Sequence, residues 1–286
     1  MYMSRRKPFR VSIAWVFVLP SLMGMAVFFF IPGVGTLVYA LTNNRGDFVF
    51  LANFANLVGD MAFRLGATNS LRFIAVSVPL NMLISFILAS LLQNLTQKKL
   101  LSVFFMLPMI IPSGSVVFFW NVLFADNGAI NSLLFRAGMS TVPWLASDWA
   151  FYVVVLVFLQ RNIGFNMVLF LSGYQFIPKD YYEMAKMEGA GAFATLRRVT
   201  LIYMMPTMFI VFMMSIINSF RIFREIYLLY GQYPHRSVYM LQHFMNNQFL
   251  FANMQRLSVT ATAISAVTVV LVWGIFTGQR KMSDNF

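Results

Sequence analysis

Six stretches of this chain are apolar for about 20 residues or more, the length a helix needs to cross a bilayer. They run over Ile13–Leu41, Leu71–Leu92, Leu100–Phe124, Ala150–Leu171, Leu201–Phe220 and Leu257–Thr277. Only 10% of the 286 residues are charged, against roughly 25% in soluble domains, so a water-soluble enzyme of this composition is excluded. An isolated span satisfies its backbone only as a helix. The expected fold is therefore an all-α membrane protein of about six transmembrane helices. The first stretch follows Arg5, Arg6, Lys7 and Arg10, as a signal segment would. Its apolar run far exceeds the roughly 7–15 residues of such a segment, so it reads as an uncleaved first helix.

Basic residues orient the spans. With the N-terminus in the cytoplasm, the inside holds Arg5, Arg6, Lys7, Arg10, Lys98, Lys99, Lys179, Lys186, Arg197, Arg198, Arg280 and Lys281. The outside holds Arg45, Arg64, Arg72, Arg136, Arg221, Arg224, Arg236 and Arg256. Twelve against eight favours this orientation, and an even number of spans returns the C-terminus to the cytoplasm. The division expected is a tail over 1–12, a membrane domain over 13–277 and a tail over 278–286. The segment Arg221–Arg256 carries four arginines on the outer side. It is aromatic enough to extend the fifth helix or to lie flat at the interface. Prolines fall inside the apolar stretches at Pro20, Pro32, Pro79, Pro108, Pro112 and Pro206. Single prolines are expected to kink, and the Pro108–Pro112 pair to bend or break the third helix.

Several chemistries drop out. The chain has no cysteine, so thiol catalysis, cysteine-bound zinc and iron–sulfur clusters are excluded. It has no glycine-rich phosphate loop and no His-Glu-x-x-His zinc motif. Its two histidines, His235 and His243, are expected as polar residues of the third outer loop. A membrane-embedded enzyme would have to use one of them. No acid stands in the middle of an expected span, whereas ion-driven carriers keep a carboxylate there. If transport needs energy, another polypeptide supplies it. The +12 net charge is assigned to membrane topology and not to nucleic acid.

The most informative stretch is Ile177–Pro206. Pro178 starts it, Asp180 is placed to cap a helix and Glu183 follows three residues later, as in a capping box. The helix is expected over Tyr181–Glu188, with Gly189-Ala190-Gly191 ending it. Two turns are marginal in water without a docking surface. Tyr181, Met184, Ala185 and Glu188 share one face, and Ala185, Gly189, Ala190 and Gly191 would let a partner's backbone approach. Local physics leaves a docking helix and a solvated connector both open.

Glu183-Met184-Ala185 followed by Gly189 resembles the EAA motif of inner-membrane permeases in binding-protein-dependent ABC importers. The resemblance is narrowest to carbohydrate-uptake permeases, in the maltose-permease-like first subunit. It continues through Ala14–Pro20, Phe30-Ile31-Pro32, Asn69-Ser70-Leu71, Leu107-Pro108 to Ile111-Pro112 with Trp120, Gly128–Leu134, Gly164–Met167 and Asn218-Ser219-Phe220. Three features depart from the family pattern. Met184 stands where alanine is usual, Leu201-Ile202 replaces a Leu-Pro, and Gly231–Pro234 lacks a Gly-Gly-Pro.

The resemblance implies a type I, MetI-like permease core in the plasma (inner) membrane of a prokaryote. Segment 178–200 would couple to a separate ATPase, with Glu183 as ionic anchor, Gly189 as the close-approach turn, and Ala185 and Ala190 beside them. The partners implied are a second homologous permease, two copies of an ABC ATPase, an extracytoplasmic solute-binding protein, membrane lipids and a sugar. No cofactor is expected on this chain, since ATP and magnesium would be used by the partner.

Polar residues inside spans are costly and therefore informative. Arg161, Asn162, Phe165 and Asn166 follow helical spacing in the fourth span, and Ser215, Asn218 and Ser219 form a stripe in the fifth. Donors beside an aromatic ring suit a sugar, and family members hold sugar near these positions. The same residues also serve as helix–helix hydrogen-bonding groups, and both readings stand. Arg161 and the outer arginines suit an anionic solute such as glycerol phosphate, which is the alternative substrate.

Overall fold

The computed structural model describes residues 13–43 and 45–283. The basic tail with Arg5, Arg6, Lys7 and Arg10 lies outside the described residues, as do Asp284 and the side chains of Arg280 and Lys281. In chain order the helices are α1 (13–41), α2 (Ala52–Gly59), α3 (Met61–Leu92), α4 (Lys98–Ile110), α5 (Ser113–Phe124), α6 (Ala129–Arg136) and α7 (Ala150–Gln175). Next come α8 (Lys179–Met187), α9 (192–221), α10 (Phe223–Tyr230), α11 (Leu241–Leu250) and α12 (Met254–Ser283). The only β pairing among the described residues is an isolated bridge between Thr42 and Phe48. Five helical runs are long and apolar enough to cross a membrane, and a sixth is a pair bent by 91° between Ile110 and Ser113.

The chain forms two compact units. In the first, made of the segments before Met61 and after Phe244, α12 packs on the second half of α1. The most apolar 18-residue window of the α1 span buries no residue in this chain, as befits a helix whose solvent is lipid; Ala40, near its end, is buried. Its ladder slips by one residue at Ala26–Phe30, where the N–H of Ile31 reaches the carbonyl of Ala26. Pro32 explains the slip. It has no N–H, and its ring crowds the carbonyl four residues back. The connection to α2 is tied by Asn53, whose Nδ2 donates to the carbonyls of Ala40 and Thr42, both at 2.9 Å. Arg256 pairs with Asp60 at 2.9 Å.

The second unit, Met61–Phe244, is built around α7, which packs against α3, α4 and α9. One core cluster joins Phe73, Phe151, Phe158, Ile222, Ile226 and Met240. Another joins Ala89, Met167, Phe170, Tyr174, Met204 and Val211. Close approach is set by glycine. A Cβ on Gly164 would fall 1.8 Å from the carbonyl oxygen of Phe105, so α4 and α7 cross backbone to backbone there.

Several expected boundaries move, each for a physical reason. The second helix begins at Met61 and not at Leu71. Its polar first turns serve tertiary contacts, because Asn69 Nδ2 donates to the carbonyls of Arg236 and Tyr239 at 2.6 and 2.9 Å. Ser70 Oγ accepts the N–H of Leu241 at 2.9 Å. The third span is broken. Pro108 stays within α4, and the chain is extended at Ile111 and Pro112 before α5 starts. The fifth helical run extends from Ala192 to Tyr230 with a turn at Ile222, so it takes in Arg221, Arg224 and Glu225. Glu225 lies close to the end of that run and not in its middle, yet it is only 7% exposed. The segment after it holds the further helix α11.

Candidate functional site

The short helix of the coupling segment is α8. It starts two residues earlier than the sequence implies: Pro178 is the N-cap residue and no side chain caps it. Asp180 therefore sits in the first turn, where its charge suits the helix dipole, and the capping-box expectation is corrected. The C-terminus is a Schellman closure. The N–H of Ala190 reaches the carbonyl of Ala185 at 2.9 Å, and that of Gly189 reaches Lys186 at 3.0 Å. Gly189 has φ +74°, a conformation that costs most other residues about 1–2 kcal/mol. A Cβ there would meet nothing within 4 Å, so the requirement is backbone shape and not space within this chain.

The segment has an inward and an outward face. Ala185 is buried, and Tyr182 shares a hydrogen bond of 3.2 Å with Thr200. The Tyr181 ring lies 4.7 Å from that of Tyr203. These contacts seat α8 on the start of α9, which enters through a π turn at Leu196–Thr200. Glu183 and Gly189 are exposed and Ala190 is half-buried. Met184, Met187 and Phe193 are 51%, 81% and 76% exposed. Met184, where the sequence departs from the family's alanine, thus stands on the outward face.

The residues singled out in the fourth and fifth spans divide into two groups. Asn166 and Ser215 are fully buried. Asn166 Nδ2 donates to Ser215 Oγ at 2.8 Å and to Asn81 Oδ1. Ser85 Oγ donates to the carbonyl of Ile163 at 3.1 Å. This cluster ties α3, α7 and α9 together. Ser219 Oγ turns back on the Ile216 carbonyl at 2.6 Å, and Asn218 Oδ1 accepts from Arg221 at 3.5 Å. Asn162 Nδ2 likewise donates to the Phe158 carbonyl at 2.8 Å, and Phe165 is half-buried.

The second group surrounds Arg161. Its Nη1 lies 3.1 Å from Glu225 Oε1 and donates to Ser113 Oγ at 3.2 Å, while Ser113 Oγ donates to Glu225 Oε1 at 2.8 Å. Ser113 opens α5 just past the break, so the cluster joins α7, α10 and the bent third span. Trp120 Nε1 donates to Gln160 Oε1 at 2.7 Å beside it. Glu225 and Ser113 were missed by sequence reasoning. The one available signal was that a lone mid-span arginine calls for a buried counter-charge.

Each histidine is hydrogen-bonded within its own stretch of chain. His243 is fully buried and not a polar loop residue, which corrects that expectation. Its Nδ1 accepts the N–H of Met240 at 3.1 Å, and burial holds its pKa down at about 4. His235 Nδ1 pairs with Ser237 Oγ at 2.9 Å and closes a 3-10 turn. Among the described residues no three metal-ligating side chains come together.

The chain is a helical membrane domain with a glycine-closed surface helix and a polar cluster at mid-span. The profile of the family described as "binding-protein-dependent transport system inner membrane component" matches residues 81–279, and the chain belongs to that family. It is thus a multi-pass inner-membrane protein of an ABC import system. The lactose transport system permease protein of Rhizobium radiobacter is 27% identical over 221 residues, covering 74% of each chain. The trehalose/maltose transport system permease protein of Thermococcus litoralis is 26% identical over 277 residues, 94% of this chain and 92% of that one. A bacterial ABC transporter involved in the import of the acidic polysaccharide alginate has a chain of the same fold. It superposes with a TM-score of 0.80 over 95% of both chains at 18% identity.

Proposed function

We propose that this chain forms half of the translocation pathway for a sugar or oligosaccharide in an ATP-driven importer. A second homologous permease forms the other half. Two copies of a separate ATPase subunit bind ATP and magnesium, and an extracytoplasmic binding protein delivers the solute. The observation that carries this reading is the outward face of α8. Its Met184 and Met187 are exposed while Ala185 anchors it inward. An exposed two-turn helix with apolar tips and a fixed C-terminal turn is a surface made to be docked. Glu183 supplies the ionic contact there, and Gly189 and Ala190 the close approach.

The twelve-to-eight distribution of basic residues supports a cytoplasmic position for α8 and both termini, on the side where an ATPase has its nucleotide. The domain division follows: a cytoplasmic tail over 1–12, the permease domain over 13–277 with its coupling segment 178–200, and a second cytoplasmic tail to residue 286. Saccharide as the solute class is supported by the relatives described as lactose and trehalose/maltose permeases. Arg161, Asn162, Phe165, Asn166, Ser215, Asn218 and Ser219 are assigned to the path or to the packing that shapes it.

Replacement Gly189→Asp tests the coupling role. Asp tolerates the left-handed conformation at about 1 kcal/mol, so the protein should stay folded in the membrane. Its carboxylate would stand on the docking face, and ATP-driven uptake should fall by about tenfold or more. Normal uptake with Gly189→Asp would refute docking at this turn.

A further inference from the structure

Among the described residues, the five apolar helical runs contain one carboxylate, Glu225. A carboxylate withdrawn from water is stable only beside an opposite charge and hydrogen-bond donors. Glu225 has both, at 3.1 Å from Arg161 and 2.8 Å from Ser113. Its side chain is 8% exposed, but that of Arg161 keeps 20% exposure. Arg161 stands eleven residues into α7, roughly 16 Å along its axis, near the middle of a hydrocarbon core about 30 Å thick. A partly exposed charge at that depth faces a water-filled cavity or the bundle interior, and not lipid.

A second observation selects the cavity. The cluster sits on the break at Ile111–Pro112, and non-helical backbone at membrane depth persists only where protein buries it or where it lines an aqueous space. Ser113, Trp120, Gln160 and Arg161 are all partly exposed and are linked in two hydrogen-bonded pairs beside that break.

We propose that Glu225 is a specificity-determining residue: it neutralises Arg161, so that these pairs offer donors to hydroxyl groups while carrying no net charge. This rests on the pairs lying on the solute path proposed above. An unpaired guanidinium would bind an anion through charge-assisted bonds, and conduction requires binding weak enough to release. With Glu225 in place only Nη1 is engaged by the carboxylate and the serine, which leaves further guanidinium N–H donors for a neutral saccharide. The pathway therefore suits uncharged, hydroxyl-rich solutes. Glu225 acts through Arg161 and is a positioning residue.

The test uses the complete transporter in proteoliposomes, with whichever of lactose, trehalose and maltose the wild type accumulates best. Glu225→Gln should lower uptake by about tenfold or more, because a buried cation is left unpaired. The double replacement Arg161→Gln with Glu225→Gln leaves no unpaired charge, so its melting temperature in detergent should return to within about 2 °C of wild type while that of Glu225→Gln alone stays lower. In detergent, sodium acetate at pH 7.5 should raise the melting temperature of Glu225→Gln relative to equimolar chloride, and leave the wild type unmoved. Uptake by Glu225→Gln within about twofold of wild type would overturn the proposal. So would a double variant that melts as low as Glu225→Gln alone. A wild type that accumulates none of the three sugars would instead count against the saccharide reading, and the acetate shift would still decide the role of Glu225.

Discussion

Replacing Gly164 with alanine should force α4 off α7 and destabilise the membrane domain. The added Cβ would lie 1.8 Å from the carbonyl oxygen of Phe105 and 2.4 Å from its carbonyl carbon. Ordinary contact is about 3.5 Å, so the helices must part by on the order of 1.5 Å. Overpacking of this kind costs about 1–3 kcal/mol. The obstacle here is main chain, which cannot rotate away, so the upper end applies. Alanine returns up to about 1 kcal/mol of helix propensity. The net loss is about 2 kcal/mol, equivalent to about 5 °C in melting temperature for a chain of this size. The assay is thermal unfolding of the detergent-purified protein, with Gly114→Ala as control because nothing lies within 4 Å of a Cβ there. The control should be neutral or slightly stabilised. Equal melting temperatures for Gly164→Ala and wild type would refute backbone contact at this crossing.

Three further outcomes follow from other contacts. Asn131→Ala removes the amide that donates to the carbonyls of Asp126 and Val142 at 3.0 and 2.9 Å and accepts from Val142 N–H and Trp144 Nε1, both at 3.0 Å. It should cost about 2–4 kcal/mol, and limited proteolysis should then cut within residues 137–149 faster than in the wild type. His243 is neutral in the folded protein because burial lowers its pKa from 6.5 to about 4. The unfolded chain binds more protons between those values, so stability is full above pH 6.5, falls as pH drops towards 4 and then levels off, by about 3 kcal/mol in all. Melting curves across that range check this, and His243→Gln should flatten the dependence. Ser113→Ala removes one of two partners of the Glu225 carboxylate, and a loss of about 1.5–3 kcal/mol is expected in the same melting assay.

The spans were legible because hydropathy alone dictates them in lipid, and the Pro108–Pro112 break because a missing N–H cannot be hidden in a helix. The Gly189 turn was legible for the same kind of reason, since a two-turn helix ending in glycine has few other conformations. What stayed illegible depends on partners far along the chain. Met61–Ser70 looked too polar for a span, yet Asn69 and Ser70 spend their polarity on the backbone of residues 236–241. The fifth span was expected to end at Phe220, ahead of Arg221, and Glu225 read as water-facing because its counter-ion, 64 residues away on α7, cannot be seen in the sequence. His243 looked like a loop residue because nothing in its own neighbourhood announces that Phe223 packs edge-on to its ring at 4.8 Å.

The central claim is that the outward face of α8 docks a separate ATPase. The chain has no cysteine, so Met184→Cys introduces its only thiol, at a position 51% exposed. The rate of labelling by a water-soluble maleimide in membranes, with and without the co-expressed ATPase subunit, measures the docking directly. The account predicts rapid labelling of the chain alone and at least about tenfold protection in the complex, with Phe176→Cys, at a residue 81% exposed outside α8, as the reference site. Equal labelling of Met184→Cys in both preparations would contradict it.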